Sequence, residues 1–381
     1  MEEIPPPVAA IIERSCLPCH AGSDAPIELQ TVSQWRRFAR TADLALAQET
    51  MPPWLAAPAC EPIVDSRAMP DAERDLLRGW LHGLVSAARA KPTPQPHPAV
   101  RTAESSRVFD RGIGRAVRQE LLQWRIGDDW RTPAEGGVRT FVISPARHDG
   151  IAVSSIALVP DEPAAIGSAT FTTDTTGMAR RLDAGDPSDG YEAMGDIGRN
   201  ASGALGGAGV GARELELPEP FAFWLAPDAD IVVEAHATGV GRPSAGGMTL
   251  SLTPYAGAAP ARLVKSVALG GYNSLGSELP DELERRIVIE SDGDLVAVVP
   301  RGSHRVESMH LALVADDGSE QCLVNIPQWR RHFARPLVFS DSVRLHQGSE
   351  LMARFRVAPQ APDAPPDMSE PPMLVLLIAD G

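Results

Sequence analysis

Cys16-Leu17-Pro18-Cys19-His20 decides how the first part of this 381-residue chain is read. Two thiols three positions apart, with a histidine directly after the second, form the attachment signature of c-type haem. The chemistry sets the spacing. Each thiol adds to one vinyl group of the porphyrin, and the adjacent imidazole lies under the iron as proximal ligand. The plainer readings are a redox dithiol or half of a zinc site. Zinc would need a second C-x-x-C or paired histidines at zinc-like spacing, and none follows. A thioredoxin-like dithiol would follow a strand in a βαβ pattern, which is absent. Cys16 and Cys19 are therefore expected to carry one covalent haem c, with His20 on the iron.

Outward from the motif, residues 7–15 (PVAAIIERS) place Val8, Ile11 and Ile12 on one face, as an amphipathic helix would. Residues 32–49 are also helical in pattern, with a break expected near Thr41-Ala42. Met51-Pro52-Pro53-Trp54 follows, and its prolines hold an extended backbone. A methionine fixed there can aim its thioether at a metal, so Met51 is the candidate distal ligand, with Met69 and His82 behind it. The bland reading is a gap-filling core methionine. Pro70 opens a further helix with Asp71 and Glu73 in its first turn, where the dipole favours negative charge. Leu77, Trp80, Leu81, Leu84 and Val85 give that helix an apolar stripe. Cys60 has no sequence-local partner and reads as an inert buried thiol. Lys91 to Pro98 (KPTPQPHP) reads as a stiff proline-rich linker. Helix, C-x-x-C-H, methionine loop and closing helix resemble a small class I cytochrome c domain over residues 1–91.

The formal charge is −15, and of 35 basic residues only Lys91 and Lys265 are lysines. That balance argues against nucleic acid or an anionic membrane as partner. No run of 18 apolar residues is present, so no transmembrane segment is expected. Met1-Glu2-Glu3-Ile4-Pro5 lacks the basic and apolar regions of a secretory signal. Because c-type haem is attached after export, the chain is expected in the periplasm or otherwise exported, as a mature form or with its start placed elsewhere.

After Trp130 the character changes. Short β-patterned runs stand at 138–144, 151–159, 230–236, 248–253, 286–290, 295–300 and 310–314, separated by turn residues. Without amphipathic helices between them, they indicate antiparallel sandwiches. The glycine-rich stretch 202–211 (SGALGGAGVG) reads as a loop and lacks the context of a phosphate site. Trp224 and Trp329 are expected to anchor sandwich cores. No G-x-S-x-G, HExxH or EF-hand pattern occurs. The pairs Asp128-Asp129 and Asp316-Asp317 read as solvated turns.

Several stretches of this half resemble the copper type II ascorbate-dependent monooxygenases, the peptidylglycine α-hydroxylating-like family. They are Gly127-Asp128-Asp129-Trp130, Arg180 to Ala184 with Gly190-Tyr191, Leu217-Pro218, and Cys322 to Trp329 (CLVNIPQW). The resemblance implies two jelly-roll β-sandwiches with a copper site on each. In that family the first copper takes a His-His pair and a later histidine. Here the pair aligns with Ser154-Ser155, and His236 keeps the later position. The second copper takes His-x-His after a proline, plus a methionine. Here Pro300 is followed by Arg301-Gly302-Ser303, and Met373 stands where the methionine would. Copper prefers imidazole nitrogen, which serine and arginine do not replace. His304 and His310 offer a shifted pair; His148, His332 and His346 have no metal-like spacing.

The expected chain is multidomain, a small all-α cytochrome c domain plus an all-β double jelly-roll sandwich. Its parts are 1–91 for haem, 92–125 as linker and connecting segment, 126–256 as first sandwich and 257–381 as second. The function implied is that of an exported monohaem c-type cytochrome carrying single electrons to a redox partner protein. The β module, with degenerate copper positions, would serve docking or binding, and copper is not expected. The alternative is an active copper monooxygenase fed by its own haem.

Overall fold

In the computed structural model, residues 4–21, 27–52, 56–57, 59–64, 66, 68–89, 121–145, 149–162, 165–192, 203–209, 214–239, 241–271, 280–315, 317–331, 334–359 and 371–381 are described. The chain divides into two units, Met1–Pro52 with Met69–Glu120, and Pro53–Ala68 with Leu121–Gly381. The expected linker at 92–98 lies outside the described residues.

The first unit is helical. Helix α1 (Pro6–Ser15) starts on a proline, whose fixed φ is pre-organised for the first turn, and buries Val8, Ile11 and Ile12. After Cys16 the short α2 (Leu17–His20) follows. Helix α3 (Val32–Ala47) opens with a capping box: Gln34 N–H donates to the Thr31 hydroxyl at 3.3 Å, and Thr31 N–H donates to Gln34 Oε1 at 2.8 Å. It runs without the expected break at Thr41-Ala42. One β-branched residue costs a helix only a fraction of a kcal/mol, about 0.7 at most, and Leu44, Ala45 and Leu46 carry the helix onward. In α4 (Asp71–Arg89), Leu77, Leu81 and Leu84 are buried along one stripe. Trp35 of α3 meets Trp80 of α4 edge-on, ring centroids 5.7 Å apart.

The second unit is built of strands: β1 (Leu122–Ile126), β2 (Arg131–Thr132), β3 (Gly137–Ile143), β4 (Ile151–Pro160), β5 (Ile166–Asp174), β6 (Gly203–Gly209), β7 (Glu214–Glu216), β8 (Phe221–Leu225), β9 (Asp230–Ala237), β10 (Ser244–Ala245), β11 (Met248–Pro254), β12 (Arg262–Gly270), β13 (Glu282–Val288), β14 (Gly293–Arg301), β15 (Val306–Val314), β16 (Glu320–Ile326), β17 (Leu337–Leu345), β18 (Glu350–Val357) and β19 (Met373–Asp380). Helix α5 (Met178–Gly185) lies between β5 and β6. A nine-stranded sheet runs β1-β11-β4-β8-β12-β19-β14-β17, with β7 on β4. Two four-stranded sheets, β3-β9-β5-β6 and β13-β18-β15-β16, accompany it.

This overturns the expected architecture of a small all-α cytochrome c domain plus two separate jelly-roll sandwiches. The chain is mostly β, and the nine-stranded sheet runs straight across position 256/257. Strands β14 and β19 explain why. Val296, Ala297, Val299, Val375 and Leu377 enter one core, while Leu295, Val298, Leu374 and Leu376 enter the other. A strand without a polar face must be covered on both sides, so two cores share these strands. The helical part is not a closed 1–91 block either. Residues in the 53–68 stretch pair with the β unit: Ala57 N–H donates to Asn325 O at 2.7 Å, Val64 N–H to Val338 O at 2.8 Å, and Ile63 bridges Phe339. Proline-rich chain that cannot form helix joins strand edges instead. Cys60, expected as an inert thiol, is in a disulfide with Cys322.

Two smaller expectations also fall. The glycine-rich stretch is not a loop: β6 pairs antiparallel with β5. A Cβ on Gly207 would stand 2.7 Å from Ala169 O, so the strand needs glycine for close backbone approach. Trp329 is a core residue as expected, but Trp224 is 47% exposed.

Candidate functional site

The C-x-x-C-H residues form a helical turn that prolongs α1. Cys16 N–H donates to Ile12 O at 2.9 Å and His20 N–H to Cys16 O at 3.0 Å. Positions i, i+3 and i+4 share a helix face, which places Cys16, Cys19 and His20 on one side. The Cys19 side chain lies outside the described residues. His20 Nδ1 is 2.8 Å from Ile27 O. A carbonyl only accepts, so Nδ1 carries the proton and Nε2 keeps its lone pair. Cys16 and Leu17 pack on a core that holds Trp35, Leu77, Leu81 and Met69. Within it, Trp35 Nε1 and Ser15 Oγ are buried and make no hydrogen bond with a described group.

The three distal candidates differ. Met69 is 7% exposed and packed in that core, whereas Met51 is 38% exposed. His82 is exposed, with Nε2 3.1 Å from Asp43 Oδ2. Arg78 also binds Asp43, Nε to Oδ1 at 2.8 Å. Burial raises the Asp43 carboxyl, but these two partners outweigh it and hold the group below its ordinary range.

In the β unit the family-derived positions are redistributed. Ser154 and Ser155 stand on β4 of the nine-stranded sheet, donating to Thr253 O at 3.3 Å and to Glu214 Oε1 at 2.5 Å. His236 is on β9, in a different sheet. Ile231, Val233, Ala235 and Ala237 face the core, so alternation turns Glu234 and His236 to the other face. There Ser168 and Thr170 of β5 are their cross-strand neighbours. His236 Nε2 is 2.8 Å from Glu234 Oε1, and Arg331 Nη2 is 2.6 Å from His236 Nδ1. A guanidinium only donates, so Nδ1 accepts and Nε2 carries the proton toward Glu234.

A cavity of about 330 Å³, counted with its open mouth, lies over this face. Ser168, Thr170, Gly207 and His236 line one side, and Val299, Pro300, Arg301, Trp329, Arg331 and Arg335 the other. The structure thus brings together His236 and Arg301, one position from each expected copper site. Met373 is the β19 partner of Arg301 across the ladder. Ser303 O accepts from Trp329 Nε1 at 3.0 Å, which anchors the indole wall. Glu234 is buried, which opposes its ionisation, but the His236 hydrogen bond and the charges of Arg301 and Arg331 hold its carboxyl below the ordinary range.

His304 is exposed in the turn before β15. His310 is half-buried, its Nδ1 3.9 Å from Cys322 Sγ; burial, then the charge of Arg354, pulls its pKa down. His148 and His332 lie outside the described residues. Among the described residues, no group of three His, Cys, Asp or Glu side chains is placed to hold a metal ion. Arg331 and Arg335 went unread in sequence. Both lie in the connection after the CLVNIPQW stretch, and nothing local marks arginines that meet a strand nearly a hundred residues earlier.

No protein-family model matches the chain, and no curated protein matches it. Among solved structures it is similar to the major capsid protein P2 of bacteriophage PM2, at 10% identity and TM-score 0.31, over 69% of this chain and 98% of that one. It is also similar to PNGF-II, at 8% identity and TM-score 0.26, over 68% and 65%. The A223 turret protein of Sulfolobus turreted icosahedral virus matches at 8% identity and TM-score 0.16, over 69% and 100%. Likenesses this low define neither fold nor function. No helix among the described residues is long and apolar enough to cross a membrane.

Proposed function

We propose that this chain is an exported one-electron carrier, holding a single haem c through Cys16 and Cys19, with His20 and Met51 on the iron, and delivering electrons to a redox partner protein. The observation that carries this reading is the tautomer of His20. Its Nδ1 proton is taken by Ile27 O at 2.8 Å, which leaves the Nε2 lone pair for a metal. Metal-binding histidines are oriented by their second nitrogen in this manner. The helical run supports it, since positions 16, 19 and 20 share one helix face. The buried Trp35 Nε1 and Ser15 Oγ, without hydrogen bonds to described groups, fit a core that admits a further group with polar edges. Met51 is exposed enough to be covered by such a group, while Met69 already fills core space. Bound there, haem supplies reversible one-electron chemistry, and a thioether ligand raises its potential.

The Cys60–Cys322 disulfide supports export, because such bonds persist in oxidising compartments. The β unit is read as a docking or binding module. Both nitrogens of His236 are engaged, and Arg301 places a permanent positive charge where the family has a metal ligand.

The test is the full chain matured with haem-attachment machinery. Denatured protein should keep haem stain on a gel, and the Cys16→Ala, Cys19→Ala double variant should lose it. Met51→Ala should keep the stain and lower the reduction potential. Wild-type protein without covalent stain would overturn the reading.

A further inference from the structure

The cavity in the β unit carries an inference that does not depend on haem. We infer that it is a binding site for a compact oxyanion, of the carboxylate or phosphate class, held by the guanidinium groups of Arg301, Arg331 and Arg335. Arg301 and Arg335 are only 7% and 9% exposed, and Arg331 is partly buried. A guanidinium stays charged at any physiological pH, and its planar fork matches the two-oxygen edge of a carboxylate or phosphate. Three of them line one small space, and no acidic residue is among the described residues that line it. A space walled by three guanidinium forks favours an anionic guest over a cation.

Glu234 is the near carboxylate, and it offsets part of the positive charge of Arg301 and Arg331. Glu234 stands beside the cavity rather than in its lining, and its Oε1 is taken by His236 Nε2 at 2.8 Å. Arg331 gives Nη2 to His236 Nδ1 at 2.6 Å, while its equally buried Nε makes no hydrogen bond with a described group. A buried donor without an acceptor destabilises the fold unless something fills the place. Glu234, His236 and Arg331 therefore form a chain that fixes one guanidinium and leaves a donor edge unused. The hydroxyls of Ser168 and Thr170 add further donors on the opposite side. A cation is the wrong occupant, since the His236 lone pair is spent on Arg331 and the other lining charges are positive. The enclosed part of this space is small, so the anion is compact.

The experiment is calorimetric titration of the full chain with inorganic phosphate, sulfate and succinate, each against chloride at equal ionic strength. One saturable site per chain is expected for at least one of the three. Binding of phosphate or sulfate marks a tetrahedral anion, and binding of succinate alone marks a carboxylate. Arg331→Gln should weaken binding at least tenfold, while Arg242→Gln, at an exposed arginine outside the cavity, should leave it unchanged. Where Arg331→Gln fails to fold, Arg331→Lys decides: charge without the fork should still cost several-fold in affinity. No saturable heat above chloride, or wild-type affinity in a folded Arg331 variant, would overturn the inference.

Discussion

His20 and His236 differ in what faces Nδ1, and that sets what each ring can do. At His20 the neighbour is a carbonyl oxygen seven residues on, so the free lone pair is on Nε2. At His236 it is the Arg331 guanidinium, 95 residues away, which takes the lone pair and turns the Nε2 proton to Glu234. The local C-x-x-C-H motif singles out His20 in the sequence, though not its contact with Ile27; the His236 arrangement depends on a long-range contact with no motif. Glu234 gives the pH dependence. Its folded pKa lies below the ordinary 4.5, so the stability it contributes is complete above about pH 4.5 and is lost as pH falls from there through the folded value. Other carboxylates follow the same trend, so the informative quantity is the difference between wild type and Glu234→Gln. The variant should lose about 3–5 kcal/mol at neutral pH, as expected when one partner of a buried ion pair is removed. That deficit should shrink on acidification in denaturant titrations. A deficit constant from pH 7 to pH 3 would refute the assignment.

At the scale of elements, legibility followed the period of the pattern. Helices α1 and α4 were readable from 3.6-residue stripes, and β4, β9 and β11 from β-rich runs bounded by turns. Strands β5, β12, β17 and β18 were not, because threonine, serine and arginine positions in them meet neighbouring strands rather than marking a loop. Strand β6 failed for the opposite reason: glycine normally signals a turn, but here it permits close backbone approach. Two glycines turn this into a prediction of opposite signs. Gly79, exposed in α4, has open space around its Cβ position, so Gly79→Ala should stabilise by about 0.5–1 kcal/mol through helix propensity. Gly207 meets the Ala169 carbonyl, so Gly207→Ala must shift a strand and should cost about 1–3 kcal/mol. Chemical denaturation of the two variants reads both effects, and equal signs would contradict this account of β6.

For the whole molecule, the order of residues along the chain misleads about what belongs together. The segment around Cys60 follows the methionine loop in sequence, yet it is tied to β16 by a disulfide that spans 262 positions. Sequence could not pair these thiols, since nothing local selects Cys322 from 262 residues away. A crosslink over so long a loop restricts the unfolded chain strongly and is expected to contribute about 2–5 kcal/mol. The consequence is measurable in two ways. The Cys60→Ser, Cys322→Ser double variant should unfold at a temperature about 5–15 °C below wild type, from the usual relation between stability and Tm for a unit of this size. Its haem stain should be unaffected, because Cys16 and Cys19 are untouched. The chain has four cysteines, which makes the thiol count decisive. Stain-positive protein, denatured without reductant, should show no reactive thiol, since two cysteines are held by haem and two by each other. After reduction it should show two. Two reactive thiols before reduction, in protein that keeps its haem, would mean that the bond does not form. The stretch at 53–68 would then be joined to the β unit only by its hydrogen bonds and apolar contacts.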